Sequence, residues 1–386
     1  MIERPPHKKC VMIIAGEASG DLHGAHLLKA MKKKDDAIFF CGIGGKKMQA
    51  EGLQAFIDTE SLAVMGVTEV FENLYSILRS MNTIKTAIKQ LRPELLILID
   101  YPGFNLHMAG FAKKNQIPVL YYISPKVWAW RKGRVKKIEK YVDHLALILP
   151  FEVDFYKNYQ VKTSFVGNPL LDYTPDMPTT MSITKTDTLA VGLLPGSRRN
   201  EISRLFPVML QAAEAIQKRL DKKVTFLISV APSADEDSMK QMFAGQALTG
   251  DFEFVKGDVR NVFDRVKLVI AASGTVTLEA AIHCIPMVII YKMSTVSYLL
   301  GRAFVKLNHV GLASIIAGEE VAPELLQGDA EPGKIAETVC RFLEDDALYQ
   351  QAREKLFDIR KRLGGPGASE RTAEIALNMI QNNTAR

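Results

Sequence analysis

Long hydrophobic runs are missing from this chain. The longest, such as Leu95–Ile99 and Met287–Tyr291, are only strand-length, whereas a helix that spans a bilayer needs about 20 apolar residues. No membrane span is expected. The run Val11–Ala15 is too short for a signal-peptide core and no cleavage site follows it, so a cytoplasmic location is expected. Cysteine is scarce. Cys10, Cys41, Cys284 and Cys340 stand far apart, and none is paired at metal-ligand spacing. That argues against a zinc ribbon or a disulfide scaffold and predicts reduced, structural thiols. No metal and no cofactor is expected. Tryptophan occurs twice, at Trp128 and Trp130, inside one short loop.

What remains is the composition of a globular protein. Of 386 residues, 47% are apolar and 24% charged, which excludes a disordered or collagen-like chain. The net charge of +6 is unevenly spread: residues 1–170 carry +8 and residues 171–386 carry −2. Such asymmetry points to an anionic partner for the first part, either nucleic acid or a membrane surface.

Short aliphatic runs alternate with amphipathic stretches. Val11–Ala15, Ile38–Cys41, Leu95–Ile99, Val119–Ile123 and His144–Leu149 read as strands, separated by helical patterns at 21–33, 62–91, 109–116 and 131–141. A Pro/Thr/Asp-rich stretch at 172–188 reads as a linker. The alternation then restarts at Leu189–Leu193 and runs through strands at 224–229, 252–254, 268–272 and 287–291. Continuous apolar strands alternating with helices predict parallel sheets covered on both faces. The expected architecture is α/β, with two doubly wound Rossmann-like domains, at 1–171 and 189–344, facing each other across a cleft. Ligands of such sheets bind outside the carboxyl ends of the strands.

Several turns could carry chemistry. Gly16-Glu17-Ala18-Ser19-Gly20-Asp21 follows the first strand and opens a helix, without the spacing of a dinucleotide loop. Asp100 ends the buried run Leu95–Ile99 and is followed by Tyr101, Pro102 and Gly103. That position suits a general base with a raised pKa, or an acid that only holds its own turn. In Ser124-Pro-Lys-Val-Trp-Ala-Trp-Arg131 the two indoles, two residues apart, face the same way on an extended segment. They could line a sugar or acyl site or anchor the loop. Six of the ten residues Arg131–Lys140 are basic. Leu194-Pro-Gly-Ser-Arg198 leads into a helix start that carries two arginines. Arginine is a poor choice beside the positive end of a helix unless an anion sits there. Ser273-Gly274-Thr275 also opens a helix, with Glu279 one turn inside. Its N–H groups and hydroxyls suit a diphosphate, and Glu279 suits ribose hydroxyls. Finally, Val67, Val70, Phe71, Leu74, Ile77 and Leu78 recur at helical spacing. Such a stripe is core, or a contact for membrane and acyl chains.

These segments together resemble the lipid-A-disaccharide synthase family, inverting and metal-independent glycosyltransferases of the GT-B fold. The strings that carry the resemblance are Ala15–Asp21, Ala63–Val67, Ile99–Asn105, Ser124–Arg131, Val166–Leu170, Leu194–Arg198, Ser273–Thr275 and Glu324–Gln327. The resemblance implies transfer of 2,3-diacylglucosamine from its UDP derivative to the 6-hydroxyl of 2,3-diacylglucosamine 1-phosphate (lipid X). The product is a β-1,6 disaccharide 1-phosphate of lipid A biosynthesis, with release of UDP. It implies Asp100 as base; Glu17, Ser19, Trp128 and Trp130 on the acceptor side; and Arg198, Ser273, Gly274, Thr275 and Glu279 on the donor side. Where relatives often carry an asparagine facing the nucleotide, this chain has Ser314. Residues 345–386 are expected either to cross back to the first domain or to exchange between the subunits of a homodimer. Nucleic acid is not expected as a partner, because the basic stretch has no interleaved stacking aromatics and no recognition motif. The anionic inner face of the inner membrane is expected instead, with the protein peripheral on it. The alternatives on the same architecture are the lipid-linked N-acetylglucosaminyl transfer of peptidoglycan synthesis and UDP-N-acetylglucosamine 2-epimerisation.

Overall fold

The structure, a computed structural model, describes residues 3–59, 70–128, 132–174, 189–246, 248–292 and 309–384. The chain divides into two units, residues 1–173 with 363–386, and residues 174–362.

The sheet of the first unit contains β1 (Lys9–Ala15), β2 (Ile38–Ile43), β3 (Gln54–Ile57), β4 (Leu95–Ile99), β5 (Val119–Tyr122), β6 (His144–Leu147) and β7 (Lys162–Phe165). Their spatial order is β3-β2-β1-β4-β5-β6-β7, all parallel. The helices are α1 (Ala18–Lys34), α2 (Lys46–Ala50), α3 (Val70–Leu91), α4 (Pro102–Lys114), α5 (Val135–Tyr141) and α6 (Pro150–Tyr156). Alternation along β1 sends Cys10, Met12 and Ile14 to one apolar cluster and Val11, Ile13 and Ala15 to another, as the two-residue period of a strand buried on both faces requires.

The sheet of the second unit contains β8 (Leu189–Leu194), β9 (Val224–Val230), β10 (Asp251–Lys256), β11 (Leu268–Ala272), β12 (Met287–Tyr291) and β13 (Glu324–Leu326). Their order is β10-β9-β8-β11-β12-β13, again all parallel. Its helices are α7 (Arg199–Arg219), α8 (Glu236–Ala244), α9 (Arg260–Phe263), α10 (Thr275–Ile282), α11 (Leu312–Ala317), α12 (Pro332–Glu344) and α13 (Asp346–Arg362).

The carboxy-terminal segment is shared between the two units. Helix α13 belongs to the second unit, and only residues from Leu363 onward belong to the first. There α14 (Ala368–Thr384) contributes Ala373, Ala376 and Ile380 to the same cluster as β1 and α1. Its amino end is capped by a distant carboxylate. Asp172 accepts the N–H groups of Gly367, Ala368 and Ser369 at 2.8–3.0 Å and the Ser369 hydroxyl at 2.7 Å. Negative charge at the start of a helix satisfies otherwise orphaned donors and meets the positive end of the dipole.

Candidate functional site

In both sheets the strand order reverses between the first strand and its central neighbour, β1 with β4 and β8 with β11. Ligands of open α/β sheets bind in the crevice at that point, outside the carboxyl ends. The sequence places its candidate turns at both.

In the first unit Ala15 and Ile99 are register partners. Glu17 and Asp100 therefore leave neighbouring strands. Ile99 also pairs with Tyr122, and Tyr122 with Ala146. Along the carboxyl edge the order of loops is thus Glu17, Asp100, then Ser124–Trp128, then Pro150–Glu152.

Asp100 and Tyr101 are both left-handed, with φ of 43° and 45°. Two consecutive non-glycine residues in that region cost about 1–3 kcal/mol each and persist only where their surroundings hold them. The hold is visible. The buried Asn105 amide donates to the carbonyls of Ile99 (3.1 Å) and Asp100 (2.7 Å), and the Tyr121 hydroxyl donates to the Asp100 carbonyl at 2.5 Å. Pro102 starts α4 at once, in the first-turn position where its missing N–H costs nothing. The Tyr101 ring lies across Gly16, where an added Cβ would stand 2.3 Å from a ring carbon. Only glycine admits this approach. Burial, and then the negative charge of Glu17, push the Asp100 carboxyl up to about 6, against the pull of Lys126.

Glu17 and Ser19 are exposed at the start of α1. Asp21, from the same string, is buried and accepts the N–H groups of Gly45, Lys47 and Met48 at 2.7–3.1 Å. It anchors the Gly42–Gly45 turn and caps α2, a structural task the sequence does not reveal. Trp128 is half-buried, with Phe151 edge-on at 4.8 Å and its indole N–H on the Glu152 carboxyl at 3.2 Å. Trp130 and Val67 lie outside the described residues. Val70, Phe71 and Leu74 fall in the first turns of α3, and their side chains lie outside the described set as well.

In the second unit Leu194 and Ala271 are register partners, so the Pro195–Arg198 and Ser273–Thr275 turns leave adjacent strands. Arg198 stands at the N-cap of α7, its side chain 75% exposed and paired to Glu201 at 3.1 Å. Gly274 occupies the N-cap position of α10 with no side-chain cap. The Thr277 hydroxyl turns back to the Gly274 carbonyl at 2.7 Å, and Gly274 and Thr275 are exposed while Ser273 is half-buried. Burial, then the Asp258 charge, push Glu279 up to about 7, with Arg260 opposing. Ser314 lies in α11. It is fully buried, and its hydroxyl accepts the Val321 N–H at 3.3 Å, so it serves the packing of α11. Glu324 is likewise structural, accepting the N–H groups of Val310 (2.7 Å) and Gly311 (2.9 Å) ahead of that helix.

Comparison with known proteins matches residues 11–379 to a family model described as lipid-A-disaccharide synthetase. A lipid-A-disaccharide synthase of Syntrophus aciditrophicus is 44% identical over 382 residues, 98% of this chain and 99% of that protein. One of Geobacter sulfurreducens is 41% identical over 385 residues, 98% and 99% of the two chains. Among solved structures, a UDP-GlcNAc 2-epimerase from Neisseria meningitidis bound to UDP-GlcNAc has a TM-score of 0.64 at 11% identity, covering 96% of this chain and 100% of that one. Acinetobacter baumannii MurG has 0.57 at 14%, covering 96% and 99%. At such identities the likeness extends to the fold alone.

Proposed function

The chain belongs to the lipid-A-disaccharide synthase family, and we propose that its two units divide that reaction, the first holding the lipid acceptor and the second the UDP-sugar donor. It is a glycosyltransferase of lipid A biosynthesis. It transfers 2,3-diacylglucosamine from UDP to the 6-hydroxyl of 2,3-diacylglucosamine 1-phosphate. The observation that carries this is the match across nearly the whole chain. The peptidoglycan transferase reading fits less well, since the likeness to MurG is 14% identity against 44% for the synthase.

The residue roles follow from the edge positions. Asp100 takes the proton of the 6-hydroxyl as that oxygen attacks the anomeric carbon; its raised value suits a base working near neutrality. Glu17, Ser19 and Trp128 flank it on the acceptor side. Arg198 and the N–H groups of the Ser273–Thr275 turn meet the charge that grows on departing UDP. Glu279 accepts ribose hydroxyls. Incubation with both diacyl sugars, followed by mass spectrometry, is expected to give a disaccharide monophosphate and UDP. Absence of the disaccharide sinks the assignment.

The same reading places the first unit on an anionic membrane surface. Among the described residues no helix is long and apolar enough to cross a membrane. In α5, Val135 and Ile138 face the core while Lys136, Lys137 and Lys140 are exposed. Each cation near an anionic leaflet contributes about 1 kcal/mol. Charge reversal of Lys132, Arg134, Lys136 and Lys137 is expected to release the protein from anionic vesicles in a sedimentation assay. Unchanged binding makes this face merely solvated.

A further inference from the structure

Glu152 is a buried carboxyl group at the carboxyl edge of the first sheet that the proposed mechanism leaves unused. It is 1% exposed. Its two oxygens accept the Trp128 indole N–H and the Leu149 backbone N–H, both at 3.2 Å. Tyr156, one turn later on the same face of α6, is also 1% exposed and shares a 2.9 Å hydrogen bond with the Ser124 hydroxyl. One buried helix face thus ties the segment 124–128 at both ends, while Phe151 braces the Trp128 ring edge-on at 4.8 Å.

A helix cap alone does not require this arrangement. Serine, threonine or aspartate at the N-cap supplies it at the surface, whereas a carboxyl group withdrawn from water is costly unless hydrogen-bonded. The group that gains from a buried acceptor here is the indole, whose single N–H then has one fixed direction. Burial pushes the Glu152 carboxyl up to about 8, outweighing the N–H groups of Leu149, Trp128 and Ile148 and the nearby Lys126.

We propose that Glu152 is a positioning residue for transfer. By holding the Trp128 indole N–H, it sets the plane in which that ring meets the apolar face of the acceptor sugar. This rests on the acceptor-side placement of Trp128.

The test is steady-state kinetics of the full chain with both diacyl sugars. Trp128→Ala removes the ring, Trp128→Phe keeps a smaller aromatic ring without the N–H, and Glu152→Leu removes the acceptor of that N–H together with that of the Leu149 N–H. Loss of one hydrogen bond predicts a rise of about 5-fold in acceptor KM for each of the last two. Donor KM and kcat are expected to stay near wild type. The double variant Glu152→Leu/Trp128→Phe is expected to be no worse than either single one, because both delete the same bond. Additive losses, or equal losses in donor KM and kcat, assign Glu152 to fold stability alone and overturn the proposal. An unchanged acceptor KM in Trp128→Phe does the same, and this arm decides the matter if Glu152→Leu does not fold. An unchanged acceptor KM in Trp128→Ala instead overturns the acceptor-side placement on which the proposal rests.

Discussion

Replacing Asp100 with asparagine is expected to lower transfer by about 10³-fold while fold and UDP affinity are retained. The substitution is close to isosteric, and asparagine tolerates the left-handed backbone that φ of 43° demands. The frame of the turn is held through the Asp100 carbonyl, by Asn105 and Tyr121, and an amide side chain leaves that untouched. The pH dependence carries the sign of the assignment. With the carboxyl pushed up to about 6, the base is disabled by protonation below that value, so kcat/KM climbs with pH and levels off above it. Removing the neighbouring like charge with Glu17→Gln is expected to move the midpoint to lower pH. The same raised value bears on stability with the opposite trend. A buried acid that binds its proton more tightly when folded favours the native state at low pH, and that contribution fades as pH rises from the ordinary carboxyl value of 3.8 through about 6. Asp100→Asn removes the cost of burying the charge, so its melting temperature at neutral pH is expected to be no lower than wild type. Product formation together with UDP calorimetry decides the matter. An asparagine variant that turns over at the wild-type rate leaves the base elsewhere.

The parts of this molecule that sequence reveals are those whose environment is uniform along the chain. β4, β11 and β12 are legible to the residue because a central parallel strand is apolar on both faces. β3 and β7 are not, because they are edge strands, mostly half-exposed or exposed along their length. Helix α4 begins at Pro102, seven residues before the expected start, because Pro-Gly there opens a helix rather than closing a turn. The site follows the same division. Glu17, Asp100 and Arg198 can be singled out as candidates from sequence because each lies in the turn that follows a strand. Glu152 cannot, because its importance depends on β6 lying beside β5, and no local pattern encodes that neighbour. Its only signal is a first-turn acid after Leu149-Pro150, the mark of a capping box. Asp21, Asp172 and Glu324 illustrate the converse. They are carboxylates near the ends of elements, yet each is spent on backbone N–H groups of another segment, a use that only the tertiary fold discloses.

Substituting Arg198 with alanine is expected to cost transfer about 10²–10³-fold while altering stability by no more than about 1 kcal/mol. The two magnitudes separate because the side chain does so little for the fold. It is 75% exposed, and its ion pair with Glu201 is of the surface kind that contributes about 0–1 kcal/mol. Its position even opposes the helix, since a cation at the N-cap of α7 meets the positive end of the dipole. Glu201 offsets this from the first turn, reaching back beneath Gly196. There φ of 103° and a Cβ position 2.8 Å from the Glu201 carboxylate leave room only for glycine. The turn is thus built to carry an arginine that the helix does not need. On the proposed assignment the adjacent Ser273–Thr275 turn, with Gly274 at an uncapped helix start, offers N–H groups to the same departing diphosphate. Arg198→Lys is expected to recover part of the rate, because a point charge replaces the planar fork but not its paired hydrogen bonds. UDP product inhibition is expected to weaken in step with the loss of rate, since ground-state UDP and the departing diphosphate carry the same charge. If the alanine variant keeps both its rate and its UDP inhibition, the anion is held elsewhere on the second unit. If it loses the rate but melts far below wild type, the arginine is a fold residue after all.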